Sequence, residues 1–224
     1  GGTGKTPHTE YIIRLLQDSN QVAVLSRGYK RKSKGFVLAD MSTPMSMIGD
    51  EPYQMKKKFP KIHMAVDKDR CHGIERLISK STQPEVDIIL LDDAYQHRHV
   101  QPGVNILLMD YHRLVYFDKL LPAGRLRESK SSMNRADVVI VTKCPSYITP
   151  MDKRGIERSL CLEKWQRLFF TTYRYGNPYK ITAPSQTINI DELKGKKITL
   201  VSGIASPEQL EYDLSKYELS FTPL

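Results

Sequence analysis

The chain opens on Gly1-Gly2-Thr3-Gly4-Lys5-Thr6-Pro7, residue types that suit phosphate chemistry. Glycines at this density let backbone N–H groups close on a di- or triphosphate, a lysine reaches the outer phosphates, and the hydroxyl that follows meets Mg²⁺. Gly1, Gly2, Thr3, Gly4, Lys5 and Thr6 are therefore the candidate ATP-binding set, with Thr6 also a candidate metal ligand. A helix starting here adds the partial positive charge of its N-terminus. Pro7 fits that first turn, where an N–H has no intrahelical use. The motif normally begins with an earlier glycine behind a β-strand, so the expectation is the second half of a P-loop. A glycine-rich tail without function is the bland reading, and the next stretch argues against it.

A second constellation lies in Ile88-Ile89-Leu90-Leu91-Asp92-Asp93, four aliphatic residues running into two carboxylates. Such a run reads as a buried parallel strand whose carboxyl end faces a ligand crevice, and Asp92 and Asp93 are placed to hold Mg²⁺ opposite the P-loop hydroxyl. Gln96 and His97 follow at the same edge as candidate substrate contacts. In Gly49-Asp50-Glu51-Pro52 two acids sit in a turn that opens a helix with Pro52 at its first position. They serve either as N-terminal caps or, beside a phosphate site, as a general base. Arg70 falls in the first turn of another helix, where the dipole does not favour a cation, which hints at an anionic partner.

These residues need a scaffold that brings strand ends together. Tyr11, Ile12, Leu15 and Leu16 give one apolar helix face, and Val22 to Leu25 a buried strand. Further strands are expected at Phe36–Leu38, His63–Val66, Val104–Met109, Asp137–Val141 and Leu168–Tyr173. Helices are expected over Asp67–Lys80, with Ile74, Leu77 and Ile78 inward, and from Pro145 to about Cys161. Alternating strands and helices predict an α/β fold, a P-loop-type, mostly parallel sheet with helices on both faces. Residues 1–172 form this core, 173–194 a connecting segment, and 195–224 the start of a second α/β domain, with a strand near Ile198 and a helix from Pro207 that turns Leu210 and Leu214 inward.

Composition narrows the partners. The formal net charge is +9, which favours nucleic acid, nucleotide phosphates or an acidic membrane surface. Aromatic residues are not interleaved with the basic run Arg27–Lys34, so no nucleic-acid partner is expected. That run is either a solvated loop or a phosphate contact. The three cysteines lack paired spacing, which suits a reducing compartment. No apolar run reaches eighteen residues, so the sequence shows no membrane-spanning helix.

Taken together, the P-loop half, Ser26-Arg27-Gly28-Tyr29, Gly49-Asp50-Glu51-Pro52, Asp92-Asp93-Ala94-Tyr95-Gln96-His97, Leu121-Pro122-Ala123-Gly124-Arg125-Leu126-Arg127-Glu128, Thr142-Lys143 and Ser202-Gly203-Ile204-Ala205-Ser206-Pro207 resemble the tetraacyldisaccharide 4′-kinase family, in the family's order. Ala94-Tyr95 stands where the family usually has Gly-Phe, and Arg125 where it often has proline. The resemblance implies transfer of the γ-phosphoryl of ATP to the 4′-hydroxyl of a tetraacylated disaccharide 1-phosphate, an anionic glycolipid, at the cytoplasmic face of the bacterial inner membrane. It implies Lys5 on the phosphates, and Thr6, Asp92 and Asp93 on Mg²⁺ with Glu128 assisting. It also implies Asp50 as the base, Arg70 and Arg127 on phosphate charge, and Arg27, Tyr29, Glu51, Gln96 and His97 toward the substrate. It further implies a chain lacking an N-terminal anchor, a first strand and a later histidine motif, and hence weak ATP binding. The rival reading is a P-loop switch or assembly ATPase acting on a protein partner.

Overall fold

The computed structural model describes residues 2–116, 118–124, 126, 128–203 and 207–223. They fall into two compact units, Thr3–Thr172 and Tyr173–Leu224. The first unit begins with helix α1 (Lys5–Leu16), followed by β1 (Val22–Ser26), β2 (Val37–Ala39), α2 (Met45–Ile48), α3 (Asp50–Lys58), β3 (His63–Val66), α4 (Arg70–Leu77) and β4 (Ile88–Leu91). Then come β5 (Ile106–Asp110), a 3-10 turn at Lys130–Arg135, β6 (Val138–Thr142), α5 (Pro150–Leu160) and β7 (Arg167–Phe170). The fold is α/β, as the alternation of apolar strands and amphipathic helices required.

Two sheets carry the first unit. One has the order β2-β3-β1-β4, with β3, β1 and β4 parallel and β2 antiparallel at the edge. The other has the order β5-β6-β7, all parallel. Side chains alternate across β1, and the two faces recruit different helices. Val22 and Val24 pack with Ile13 of α1 and Met55 of α3, while Ala23 and Leu25 pack with Leu77 of α4. Fully burying each aliphatic group of this kind contributes about 1.5–3 kcal/mol. In the second sheet Met109, Val139 and Val141 pack with Ile156 and Leu160 of α5. The capping box of Thr149 and Asp152 fixes where α5 starts, five residues later than the apolar pattern suggests.

Several sequence expectations are corrected. α1 buries Ile13, with Glu10 one turn before it, and leaves Tyr11 and Leu15 exposed. Residues three apart share a helical face, so Glu10, Ile13 and Leu16 line up, and an ion pair with Lys58 lets the Glu10 carboxylate lie inside. α4 is shorter than expected, Arg70–Leu77, because Asp69 caps it by accepting from the backbone N–H groups of Cys71 and His72; Ile78 lies beyond its end and is exposed. β4 is half-buried along its whole length, in place of the fully buried strand its four aliphatic residues suggest. The reason is topological: among the described residues β4 pairs with β1 on one side only, and no ladder joins it to β5. A cleft of about 1370 Å³ lies there, with Ile88–Leu91 on one wall, Ile106–Met109 on the other, and Ile12 and Leu16 of α1 above.

The second unit holds the antiparallel pair β8 (Tyr179–Lys180) and β9 (Ala183–Thr187), and the parallel pair β10 (Ile198–Leu200) and β11 (Phe221–Pro223). The helix between the latter two, α6, spans Glu208–Ser215. β11 carries no apolar run long enough to announce it in the sequence; its pairing with β10 across α6 defines it.

Candidate active site

The glycine-rich opening is held from two sides. Gly4 caps α1 with φ 79°, a left-handed conformation that a side chain would strain. The Gly4 carbonyl accepts from His8 Nδ1 at 2.8 Å, and His8 Nε2 meets Thr171 Oγ1 at 3.1 Å. Thr142 Oγ1, at the carboxyl end of β6, donates to the Thr3 carbonyl at 2.9 Å. Lys5, with Thr6 next to it, therefore stands at a helix N-terminus with no acid in its first turn. A cation at that end of a helix is unfavourable unless negative charge lies opposite. Here Asp93 supplies it, its carboxylate 3.6 Å from Lys5 Nζ.

Asp92 and Asp93 close β4 at the same edge. Asp93 has φ 47°, a strained position for a non-glycine residue, and strain of this kind gathers at functional sites. Asp92 is 5 % exposed and accepts from Ser26 Oγ of β1 at 3.4 Å. Burial first, and the neighbouring Asp93 charge second, push its carboxyl above the ordinary range, against the pull of Lys5, Ser26 and Arg70. Glu51 is raised in the same way, by partial desolvation and then by Asp92 and Asp50, with Lys5 opposing. The N-terminus of α3, the end of β4 and the N-terminus of α1 thus share one electrostatic neighbourhood. Asp50 stands there as the first residue of α3.

Arg70, expected on phosphate charge, lies where β3 and β4 end. Its side chain is 1 % exposed, and its guanidinium donates to the carbonyls of Asp67 and Asp92, where β3 and β4 end. Its Nε has no partner among the described residues. The sequence showed a cation at the wrong end of a helix; the structure shows that two strand-end carbonyls receive it. Arg70→Met is expected to lower unfolding stability by about 1–3 kcal/mol, because both carbonyls lose their donor in a buried site. Denaturant titration checks this, and a melting curve equal to the parent's would refute the bracing role.

The other candidates distribute unevenly. Gln96 and His97 line the cleft with Lys5, Asp92 and Asp93. Burial, then the charges of Arg70 and Arg27, lower the His97 pKa. Glu128 also lines the cleft, but Arg135 and Arg98 hold its carboxylate, at 2.5 and 3.5 Å. Arg27 and Tyr29 are exposed just beyond the end of β1. Gly1 and Arg127 lie outside the described residues. Among the described residues no three His, Cys, Asp or Glu side chains form a ready metal cage.

Three contributors escaped the sequence reading. His8 could have been found, since it lies one helical turn after Gly4 and returns to that carbonyl. Ser26 and Thr142 could not be assigned roles, because their partners Asp92 and Thr3 are 66 and 139 residues away.

Comparison with known proteins bears on what this edge is for. Residues 1–223 match the family model described as tetraacyldisaccharide-1-P 4′-kinase. The chain belongs to that family. Among the relatives of this kinase family, the tetraacyldisaccharide 4′-kinase of Phocaeicola vulgatus is 60% identical over 218 residues, covering 97% of this chain and 60% of the relative. That of Bacteroides thetaiotaomicron is 54% identical over 225 residues, covering 97% and 59%. The chain thus spans about three-fifths of the length of these curated relatives. The solved "apo" form of LpxK from Aquifex aeolicus in complex with ATP superposes with a TM-score of 0.72 at 29% identity, over 100% of this chain and 67% of that one.

Proposed function

We propose that the chain carries the nucleotide-binding and phosphoryl-transfer site of a kinase that moves the γ-phosphoryl of ATP to the 4′-hydroxyl of a tetraacylated disaccharide 1-phosphate. The observation that carries this reading is the meeting of Lys5, Asp92, Asp93 and Glu51 at one edge, next to Asp50, in a member of the tetraacyldisaccharide 4′-kinase family. The relatives' names supply the acceptor, and the solved relative's complex supplies ATP as the donor.

In this reading the N-terminus of α1 and Lys5 bind the outer phosphates, and Gly2, Thr3 and Gly4 offer backbone N–H groups to them. Lys5 would leave Asp93 for the nucleotide, a small cost for a pair this exposed. The Thr6 hydroxyl and the Asp92 and Asp93 carboxylates are an oxygen-only donor set that fits Mg²⁺, which keeps few protein ligands and completes its shell with water and phosphate. The burial and, after it, the Asp93 charge that raise Asp92 agree with this, since a dication at the pair offsets both. Bound there, Mg²⁺ supplies neutralisation of the phosphate charge. Asp50, outside that crowded pair, accepts the proton of the attacking hydroxyl. Glu128 orders the cleft wall through Arg98 and Arg135, with its metal role confined to an assisting one. Arg27, Tyr29, Gln96 and His97 border the acceptor's position, and Arg127 remains assigned to phosphate charge by family resemblance. Phosphates, not bases, are what the +9 chain meets, at the cytoplasmic face of the inner membrane where the glycolipid resides.

The deciding assay supplies γ-labelled ATP and the lipid disaccharide to this chain and to a version extended to the full length of its relatives. Label appearing on the acceptor's 4′ position is the expected result in the extended chain. ATP hydrolysis stimulated by a protein and indifferent to the disaccharide would select the switch-ATPase reading and sink this one.

A further inference from the structure

The body of α1 and its opening are held by different sheets. Ile13 packs with Val22 and Val24 of β1 in the first sheet, whereas the residues before Lys5 are held from the second. Thr142, the last residue of β6, donates from Oγ1 to the Thr3 carbonyl. His8 supplies the other hold. Its backbone N–H and its ring Nδ1 both reach the Gly4 carbonyl, at 3.2 and 2.8 Å, and its Nε2 lies 3.1 Å from Thr171 Oγ1. A carbonyl only accepts, so Nδ1 carries the proton, and in the neutral ring Nε2 accepts from the Thr171 hydroxyl. Thr171, directly after β7, is itself fastened to β6: its N–H donates to the Val141 carbonyl and its carbonyl accepts from the Cys144 N–H, each at 2.9 Å. The half-buried His8 ring is thus a strut whose far end rests on the second sheet.

What the strut fixes is a direction. A trans peptide is planar, so a carbonyl and the N–H that follows it point opposite ways. Holding the Gly4 carbonyl back along the helix therefore turns the Lys5 N–H outward from its start, and holding the Thr3 carbonyl fixes the Gly4 N–H in the same manner. Gly4, at φ 79° and without a Cβ, is the joint between these two peptide planes, and it turns easily unless both are held. The backbone bond from His8 to the Gly4 carbonyl, at 3.2 Å, lies at the long end of the ordinary range. The shorter bond from the ring is the firmer hold on that carbonyl.

We propose that His8 is a positioning residue for the nucleotide: by tying the Gly4 carbonyl to Thr171, it aims the Lys5 N–H at the outer phosphates of ATP. The inference rests on the kinase reading and adds to it a residue that acts through the backbone of the phosphate site, without touching phosphate or acceptor.

The test uses the chain extended to the full length of its relatives, with ATP binding read by calorimetry and transfer by steady-state kinetics. His8→Phe keeps a ring and loses both side-chain contacts. It is expected to raise the Kd and KM for ATP roughly 10-fold, with kcat changed by less than about 3-fold and the acceptor's KM unchanged. His8→Asn places an amide N–H where Nδ1 lies and should recover most of the loss, whereas His8→Gln places one where Nε2 lies and should recover little. Thr171→Val removes the same link as His8→Asn, so the double variant should lose no more than the worse single one. Melting curves accompany every variant, and His8→Asn with Thr171→Val carries the test if His8→Phe does not fold. An unchanged KM for ATP in His8→Phe, a loss confined to kcat, additive losses in the double variant, or rescue by glutamine equal to that by asparagine overturns the proposal. The two readings fail separately: a parent that binds ATP through His8 and transfers no label to the disaccharide removes the kinase assignment alone. Transfer with an ATP affinity indifferent to His8 removes the strut alone.

Discussion

On the proposed kinase reading, Lys5→Ala and Asp93→Ala are each expected to lower phosphoryl transfer by about 10²–10³-fold or more, the loss that follows when one preorganised charge is taken from a transition state. The two residues are partners at 3.6 Å before nucleotide arrives, and 31% and 45% of their side chains are exposed. A pair so open to water contributes at most about 1 kcal/mol to stability, so both variants should fold. Their losses then report on chemistry. In the proposed site Lys5→Ala would remove the charge on the outer phosphates and should also weaken ATP binding, read by calorimetry. Asp93→Ala would remove one of the proposed oxygen donors to Mg²⁺, and its defect should narrow as Mg²⁺ is raised. Parent-like turnover in either variant, measured in the extended chain, would remove the phosphate-clamp reading.

How much of this was legible in advance follows from sequence distance. The strands were visible as short aliphatic runs, and the acids at their ends were visible because a carboxylate after four aliphatic residues marks where a strand leaves the core for a polar edge. Local reading also placed one helix directly after the opening glycines and another with Pro52 at its first position; the structure starts them at Lys5 and at Asp50, the latter two residues earlier than expected. Burial was less legible. Ile13, and not Leu15, faces the core because Glu10 has a distant partner in Lys58, and no window of α1 contains that information. The division into two sheets was also hidden. Pattern reading counts strands but does not report which edges meet, so the half-buried state of β4 emerges only once it is seen to pair, among the described residues, with β1 alone. Arg70 shows the same limit in a site residue. Its misplaced charge was noticed, while its acceptors, the carbonyls of Asp67 and Asp92, required the ends of β3 and β4 to be brought together.

Asp92→Asn should make the protein more stable at neutral pH and nearly inactive. The Asp92 carboxyl is raised above its ordinary value near 3.8, chiefly by burial and next by Asp93. A raised folded-state pKa means that the folded state prefers the proton. Below the unfolded value the group is protonated in both states and no penalty exists. As pH rises through the unfolded and then the folded pKa, ionisation becomes increasingly costly to the fold, and stability contributed by the protonated form is lost. An amide is neutral throughout and keeps the site's shape, so it escapes that cost. The Asp92→Asn variant should therefore melt above the parent at pH 7–8, with the gap closing as pH falls toward about 4. The brace from Arg70 is retained, because it ends on the Asp92 backbone carbonyl and not on the carboxylate. Ser26 loses only a long hydrogen bond of 3.4 Å. Transfer should fall by about 10²-fold or more, since the amide brings no negative charge to the metal set. Mg²⁺ with ATP should raise the parent's melting temperature more than the variant's, because ligand stabilisation follows affinity. A variant that melts below the parent at pH 7, or a gap that widens in acid, would show that the carboxylate is stabilised by its surroundings and that burial beside Asp93 does not disfavour its charge.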